Sequence, residues 1–241
     1  MNQNILIKSA DRESGSSHDF VFKSHCLLDG NYIVKNVIIA NTFYNINERN
    51  NTFLVNSSAI SSPPATITIT PGNYNVCSII TELTSKLDAI TSPSTWTITY
   101  NQITSKLTFN HQNPFTFIFK DLNTAKTYGF SKLITELSIF SAPDWVLACD
   151  QVINLSAPNS IGIAIRECND NVENAKTLSS CSIYLPLDAS FGYYKNLDVN
   201  EFEQKLKFKH NRELNFKVID TSNNSVVELN GSDFEILITK C

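Results

Sequence analysis

The sequence predicts a mainly β protein, an antiparallel β-sandwich interrupted by a small α+β unit with one helix. Two features of the composition favour strands. Ile, Val and Thr number 25, 12 and 20 among 241 residues, and β-branched side chains suit a pleated surface. Charged residues make up only 17%, whereas exposed helices need many Glu, Lys and Arg residues. The third feature is a series of short apolar segments bounded by turn residues.

The N-terminal part of the chain is expected to form strands. Residues 5–7 are a short strand-like start, followed by a polar, turn-like stretch. Residues 19–28 and 32–40 are both strand candidates. Between them, residues 29–31 (Asp-Gly-Asn) are a strong turn signal. The sequence therefore predicts a β-hairpin made of these two strands.

The middle of the chain contains the predicted helix. A Ser/Pro-rich linker at residues 57–64 is a candidate boundary, and strict alternation over residues 66–70 predicts a half-buried strand. Apolar residues recur at spacings of three and four over residues 76–90, which is typical of an amphipathic helix that packs on a sheet. Asn75 is its candidate N-cap, and Pro93 would end it. Three strand candidates complete a compact unit: residues 96–100, 105–109 and 115–119.

Strands dominate the C-terminal part as well. Turn dipeptides such as Asn230-Gly231 separate its strand candidates, which are residues 152–155, 161–166, 181–187, 202–208, 214–219 and 234–239. Together with the N-terminal strands they suggest an antiparallel sandwich split by the middle unit. The predicted domains are therefore residues 1–51 with 141–241, and residues 52–140 as an inserted β-α-β-β-β domain.

The composition disfavours several functional classes. A formal net charge of −4 provides no basic excess for binding nucleic acid. No apolar run approaches the length of about 18 residues that a membrane span requires. The N-terminus has no cationic segment followed by an apolar one, so no secretory signal is expected. The six scattered cysteines are accordingly expected to be reduced thiols.

The sequence nominates no catalytic, cofactor-binding or metal-binding residue, and no enzyme activity is expected. His18, His25 and Cys26 could approach one another on one strand, but a metal ion there would need a further ligand. The carboxylates of residues 11–13 and Asp19 suggest a general acid–base pair. A turn held by local hydrogen bonds and an Asp–Arg pair is the favoured interpretation.

The one local run of basic residues lies at residues 205–210 and is closed by Arg212. Its lysines alternate with Leu206 and Phe208 at a period of two, which puts the apolar side chains inside and the lysines on a solvated strand face. This interpretation is favoured over a phosphate-binding strip, because phosphate binding usually needs more clustered charge.

Several phrases of the sequence, in this order, resemble a known family. They are ILIKSADRESGSSHDFVF (5–22), NVIIANTFYNINERNN (36–51), ITITPGNYNVCSIITELTSKL (67–87), WTITYNQITSKLTF (96–109), TYGF (127–130) and LNFKVIDTSNNSVVELNGSDFEILI (214–238). Together they resemble the penton, or minor capsid, proteins of virophages and of polinton-like viruses. The resemblance covers nearly the whole chain.

The resemblance implies a fold and a function. The fold would be a single jelly-roll β-sandwich, two four-stranded sheets packed face to face, from which the inserted domain projects. The protein would be a structural capsid protein that forms homopentamers at icosahedral five-fold vertices, beside the viral major capsid protein. It would be made and assembled inside the host cell and reside in the virion.

Two alternatives stay open. The chain could be another minor or cement capsid protein on the same fold. It could also be a virion attachment module that binds a host receptor or glycan through the insertion domain, since sandwiches often bind glycans at loops. That activity would need exposed aromatic side chains, for which Trp145, Tyr193 and Tyr194 are the candidates. Packing of all three in the core is the favoured interpretation.

Overall fold

The computed structural model describes residues 3–156, 158, 160–168, 172–173, 180–187, 189–198, 204–221 and 224–241. These residues are mainly β, with 49% of them in strands and 12% helical, and the antiparallel sheets are curled. The elements in chain order are β1 (Asn4–Lys8), β2 (Ser14–Gly15), β3 (Asp19–Ala40), β4 (Thr52–Ser57), β5 (Ala65–Thr68), α1 (Val76–Thr91), β6 (Trp96–Asn101), β7 (Lys106–His111), β8 (Phe115–Phe119), α2 (Leu122–Thr127), β9 (Ile139–Ser141), β10 (Asp144–Ala148), β11 (Ser160–Ile165), β12 (Val172–Glu173), β13 (Ser180–Cys181), β14 (Ile183–Pro186), β15 (Tyr194–Asp198), β16 (Lys205–Asp220), β17 (Ser225–Val226) and β18 (Phe234–Lys240).

The chain divides into two compact units. The split unit comprises residues 1–43 and 158–241, and the middle unit comprises residues 44–157. The middle unit is thus longer than the predicted insertion of residues 52–140. The Ser/Pro-rich linker at residues 57–64 lies within the middle unit, between β4 and β5.

The split unit is built around one antiparallel sheet with the order β1-β18-β3-β16-β11-β14. Strands β2 and β15 also pair with β3, and β17 pairs with β16. Phe234 at the start of β18 pairs with Ile39 at the far end of β3. Its ring centroid nevertheless lies 5.6 Å from that of Phe20, near the start of β3, which shows that the sheet curls. Phe20 also stacks on Phe216 at 4.9 Å, so these rings form part of a core between facing halves of the sheet.

The predicted hairpin over residues 19–40 is wrong, because these residues form the single strand β3. Gly30 does adopt a turn-like φ of +95°, but it remains paired with Phe208 of β16. The partner strand has a positive φ at His210 and register shifts beside it. Paired irregularities of this kind bend both strands without ending them. The predicted strands 202–208 and 214–219 are likewise one strand, β16, and residues 202–203 lie outside the described residues.

The bend at Gly30 gives a direct prediction about stability. A Cβ on Gly30 would meet only the Lys240 side chain at 3.6 Å, which is an ordinary contact, so Gly30→Ala isolates the effect of the backbone. A positive φ costs an L-residue about 1–2 kcal/mol, and urea unfolding of Gly30→Ala should show a loss of that size. Lys35→Ala on the exposed side of the same strand is the control. A stabilised Gly30→Ala protein would contradict this backbone conformation, since alanine stabilises compatible positions.

The middle unit contains two antiparallel sheets and the predicted amphipathic helix. The sheets have the orders β5-β4-β8 and β6-β7-β10-β9. Helix α1 is confirmed, and the Asn75 side chain accepts the main-chain N–H of Ser78 in a capping box. The stripe of α1 packs as expected, with Ile79, Leu83 and Leu87 fully buried in a core rich in aromatic rings.

Three expectations for this region are corrected. The unit has a second helix, α2, which begins where the Asp121 side chain accepts the N–H of Thr124. Six residues are too few for an apolar stripe to reveal a helix. Strand β4 and the pair β9–β10 were not predicted. Residues 152–155 do not form a strand, because Ile153 and Asn154 donate to the main chain of Ser105 and Thr127 rather than to a neighbouring ladder.

Candidate interaction surface

The histidines and the cysteine that could have formed a metal site are not assembled into one. His25 is exposed on β3, whereas His18 and Cys26 are half-buried. Cys26 Sγ accepts a hydrogen bond from Gln3 Nε2 at 3.2 Å and lies 3.4 Å from Ser24 Oγ. Across the described part of the chain, no three His, Cys, Asp or Glu side chains are grouped so that they could hold a metal ion.

The ion pair of the SADR phrase is made with a carboxylate that is distant in sequence. The Arg12 guanidinium donates to Asp233 Oδ1 at 3.2 Å and to the Ser9 carbonyl at 2.8 Å. Ser9 Oγ donates to the same Asp233 oxygen and accepts the N–H of Phe234. Arg12 therefore pairs with the distant Asp233 rather than with the nearby aspartates that the sequence suggested, and the pair joins the SADR phrase to the start of β18. Asp19 pairs with Lys217 at 3.2 Å.

Two buried asparagines in residues 41–47 form hydrogen bonds to the main chain of distant residues. Asn45 Nδ2 donates to the carbonyls of Tyr74 and Leu155, and its Oδ1 accepts the N–H of Tyr74. Asn41 Nδ2 donates to the carbonyl of Ala189, and Thr42 Oγ1 donates to that of Leu229. These side chains satisfy main-chain groups that lie outside the strands. Much of the unusual asparagine content in this phrase is therefore structural.

The lysine-rich strand is confirmed as a solvated face. In β16, Leu206 and Phe208 are buried, whereas Lys205, Lys207 and Lys209 are exposed. The alternation follows from the two-residue period of a strand.

The prediction that all three aromatic candidates pack in the core is wrong for two of them. Tyr193 and Tyr194 are 70% and 68% exposed, and only Trp145 is half-buried. Asn41 fixes the loop before β15, since its carbonyl accepts the N–H of Gly192 and its N–H donates to Tyr193. The loop is thus held in place by the backbone while both phenol rings face solvent. A run of two tyrosines does not reveal this, because tyrosine is intermediate in burial.

The middle unit exposes a run of apolar side chains that the sequence did not indicate. We call the segment of residues 133–140 the apolar strip, after its exposed residues Leu133, Ile134, Leu137, Ile139 and Phe140. Each of these side chains is between 43% and 74% exposed. The ring of Phe140 lies 5.5 Å from that of the half-buried Trp145.

Hydrogen bonds fix the segment that carries the apolar strip. Thr135 and Ser138 are buried, and their hydroxyls accept the N–H groups of Phe117 and Phe115 in β8, both at 2.9 Å. The main chain of both residues also donates to β8. The two polar side chains therefore face inward while their apolar neighbours face outward, the reverse of the usual pattern.

None of the six cysteines forms a disulfide bond in the structure. Cys149, Cys168 and Cys181 are buried, whereas Cys77 and Cys241 are exposed. Burial raises the pKa of the Cys149 thiol to about 12 and that of Cys181 to about 11. These two behave as small apolar side chains, because only a thiolate is strongly nucleophilic.

Comparison with known proteins gives a family for this chain. The model of a family of unknown function, DUF5901, matches residues 31–234. The chain belongs to the DUF5901 family. No curated protein matches the sequence. The region matched by the DUF5901 model begins within β3 and ends at the first residue of β18, so it includes the whole apolar strip and the tyrosines of the 189–194 loop.

The DUF5901 match leaves the first thirty residues outside, including Ser9 and Arg12 of the SADR phrase. No helix among the described residues of this DUF5901 member is both long and apolar enough to cross a membrane. The family description assigns no activity, so the function is argued from the surfaces.

Proposed function

We propose that this protein is a structural capsid protein of the penton type. Five copies would surround an icosahedral five-fold vertex, beside the major capsid protein, after synthesis and assembly inside the host cell. The observation that carries the proposal is the curled antiparallel sheet of the split unit, taken with the ordered phrases that resemble penton proteins.

The strand pairing of the split unit supports a single jelly roll. In one half of its sheet, the end of β3 pairs with β18 and β15, and β18 pairs with β1. In the other half, the start of β3 pairs with β2 and with the end of β16, which pairs with β11. Folding these halves face to face gives two antiparallel layers. We propose that these layers are the jelly roll and that the middle unit is its insertion.

A vertex protein works through its surfaces rather than through a reaction. A closed ring uses heterologous contacts, in which one surface of each copy meets a different surface of the next. Low charge and a large content of Asn, Ser and Thr suit broad contacts that avoid burying unpaired ions. The exposed tyrosines and the apolar strip are both available for such contacts.

A second candidate function is attachment to a host receptor or glycan. The exposed rings of Tyr193 and Tyr194 favour it, because they are aromatic surfaces with polar tips. They belong to the split unit, so the proposed binding surface differs from the insertion domain that the sequence suggested. Binding on a glycan array that is lost in Tyr193→Ser would support attachment, and no binding would remove it. Another minor or cement capsid role is the remaining alternative.

Labelling of particles tests the proposed function. Particles would be purified from cells that produce the protein and labelled with a gold-coupled antibody against the full chain. Gold confined to the five-fold vertices is the expected result. Particles without the protein, or label spread over the faces of the capsid, would overturn the penton assignment.

A further inference from the structure

We propose that one end of the four-stranded sheet of the middle unit is a pH-sensitive switch. In acid, the protonated His111 ring pairs with the Asp144 carboxylate, and the β9–β10 hairpin loosens from β7 while the rest of the unit stays folded. The proposal goes beyond the capsid role and does not rest on it.

The switch lies in a row of ring side chains that crosses all four strands of this sheet. His111 pairs with Trp96 of β6 and with Trp145 of β10, and Trp145 pairs in turn with Phe140 of β9. Directly paired residues of antiparallel strands lie on the same face, so the four rings line one face. Trp96 and His111 are 3% and 1% exposed, whereas Trp145 is half-buried and Phe140 is 56% exposed. Along this row, Trp145 alone lies between His111 and an exposed ring.

The surroundings of His111 suit a neutral ring and not a charged one. Nδ1 lies 3.2 Å from both the N and the O of the Asn113 main chain, and Nε2 has no hydrogen-bond partner among the described residues. The rings packed on His111, those of Trp96 and Phe115, are uncharged. In the charged imidazole both nitrogens are donors. Nδ1 can then donate to the Asn113 carbonyl, but Nε2 becomes a buried charged donor without an acceptor, which is costly.

The charges around His111 identify the acceptor that Nε2 lacks. Burial lowers the pKa of His111, and the Asn113 main chain, Asp144 at the start of β10 and Asp88 on α1 oppose this effect. Asp88 Oδ1 already accepts the main-chain N–H of Trp96 at 2.7 Å. Asp144 is half-buried, and its side chain makes no hydrogen bond within the described part of the chain. Asp144 is therefore the carboxylate that can turn toward the charged ring.

The part of the sheet that yields is the β9–β10 hairpin. Strand β9 lies at the sheet edge and pairs only with β10 among the described strands, through three residue pairs. On the other side of His111, the buried Trp96 is anchored, because its Nε1 donates to Oγ1 of the buried Thr91 at the end of α1. Movement of Asp144 toward the ring displaces the adjacent Trp145, so the hairpin opens locally. Acid thereby exposes more apolar surface without unfolding the unit.

Hydrogen–deuterium exchange of the full chain at pH 8 and pH 5, corrected for the intrinsic pH dependence of exchange, tests the proposal. At pH 5 the peptide of residues 139–148 should lose protection about tenfold more than the peptide of β4 does. Far-UV circular dichroism should be unchanged, which establishes that the chain stays folded. Equal losses in both peptides, which unfolding of the whole unit gives, or no loss in either, would overturn the proposal.

Three variants assign the opening to the His111–Asp144 pair. Asp144→Asn removes the charge that attracts the ring, so residues 139–148 should keep their protection at pH 5. His111→Phe should abolish the response as well. Glu48→Gln is the matched control, because it removes an exposed carboxylate of the same unit and should open like the natural protein. An Asp144→Asn protein that opens in acid as Glu48→Gln does would overturn the switch.

Discussion

Acidification from pH 8 to pH 5 is expected to destabilise the middle unit, and His111 is expected to be the main cause. Its side chain is only 1% exposed, and its ring stacks on Trp96 with the centroids 4.5 Å apart. Nδ1 lies 3.2 Å from the main-chain N of Asn113, and Nε2 has no hydrogen-bond partner among the described residues. A protonated imidazole would bring an additional buried donor and a charge into this core.

The direction of the effect follows from the pKa of His111. Burial lowers this pKa, because the charged ring loses its water, and this outweighs the opposing effects of the Asn113 main chain, Asp144 and Asp88. In the unfolded chain the pKa is about 6.5. The stabilisation from neutral His111 is therefore complete above that pH and is lost as the pH falls toward the lower folded pKa. The loss is at most about 1.4 kcal/mol per pH unit.

Tryptophan fluorescence measures this response in the middle unit alone. The chain has two tryptophans, and Trp96 and Trp145 both belong to that unit. Urea unfolding followed by fluorescence should give a falling free energy of unfolding below pH 6.5. In His111→Phe, which keeps an aromatic ring beside Trp96, the dependence should flatten. His25→Gln, at an exposed position, should retain it. An unchanged pH dependence in His111→Phe would refute this assignment.

Phe117→Ala is expected to be the most destabilising single substitution discussed for the middle unit. Phe117 is buried in the centre of its aromatic core, with ring centroids 5.6 Å from Phe53, 4.9 Å from Phe109 and 5.8 Å from Phe130. Truncation leaves a cavity among rings that cannot collapse easily. Losses for such changes are about 3–5 kcal/mol. Urea unfolding monitored by tryptophan fluorescence should show a loss in that range.

Phe140→Ala is the matched control for this experiment. It removes the same atoms in the same unit, but from the exposed strip. Because Phe140 is 56% exposed, the loss should be much smaller, about 1 kcal/mol. Equal losses for the two variants would contradict either the burial of Phe117 or the exposure of Phe140.

The sequence was most informative where local chemistry decides the structure. Helix α1 was predictable because both its stripe and its cap at Asn75 lie within one short segment. The alternation of lysines in β16 was equally local. The bend of β3 was not predictable, because an Asp-Gly-Asn segment suits a turn and a bulge equally well. Its conformation is decided by pairing with β16, near His210, far along the chain.

The surfaces were harder to predict than the fold elements. Apolar residues such as Ile139 normally indicate a core, and no pattern in residues 133–140 shows that Thr135 and Ser138 take the inward positions. That outcome depends on the unpaired edge of β8. The exposure of Tyr193 and Tyr194 similarly depends on the hydrogen bonds between Asn41 and a loop distant in sequence. Tertiary contacts of this kind leave no periodic signal.

Electron cryo-microscopy of particles that contain the protein tests the vertex assignment most directly. A reconstruction with icosahedral symmetry should place five copies around each five-fold axis, with the curled sheet of the split unit resolved and the major capsid protein adjoining it. Density for this chain at other positions only, or five-fold vertices built from another protein, would contradict the assignment.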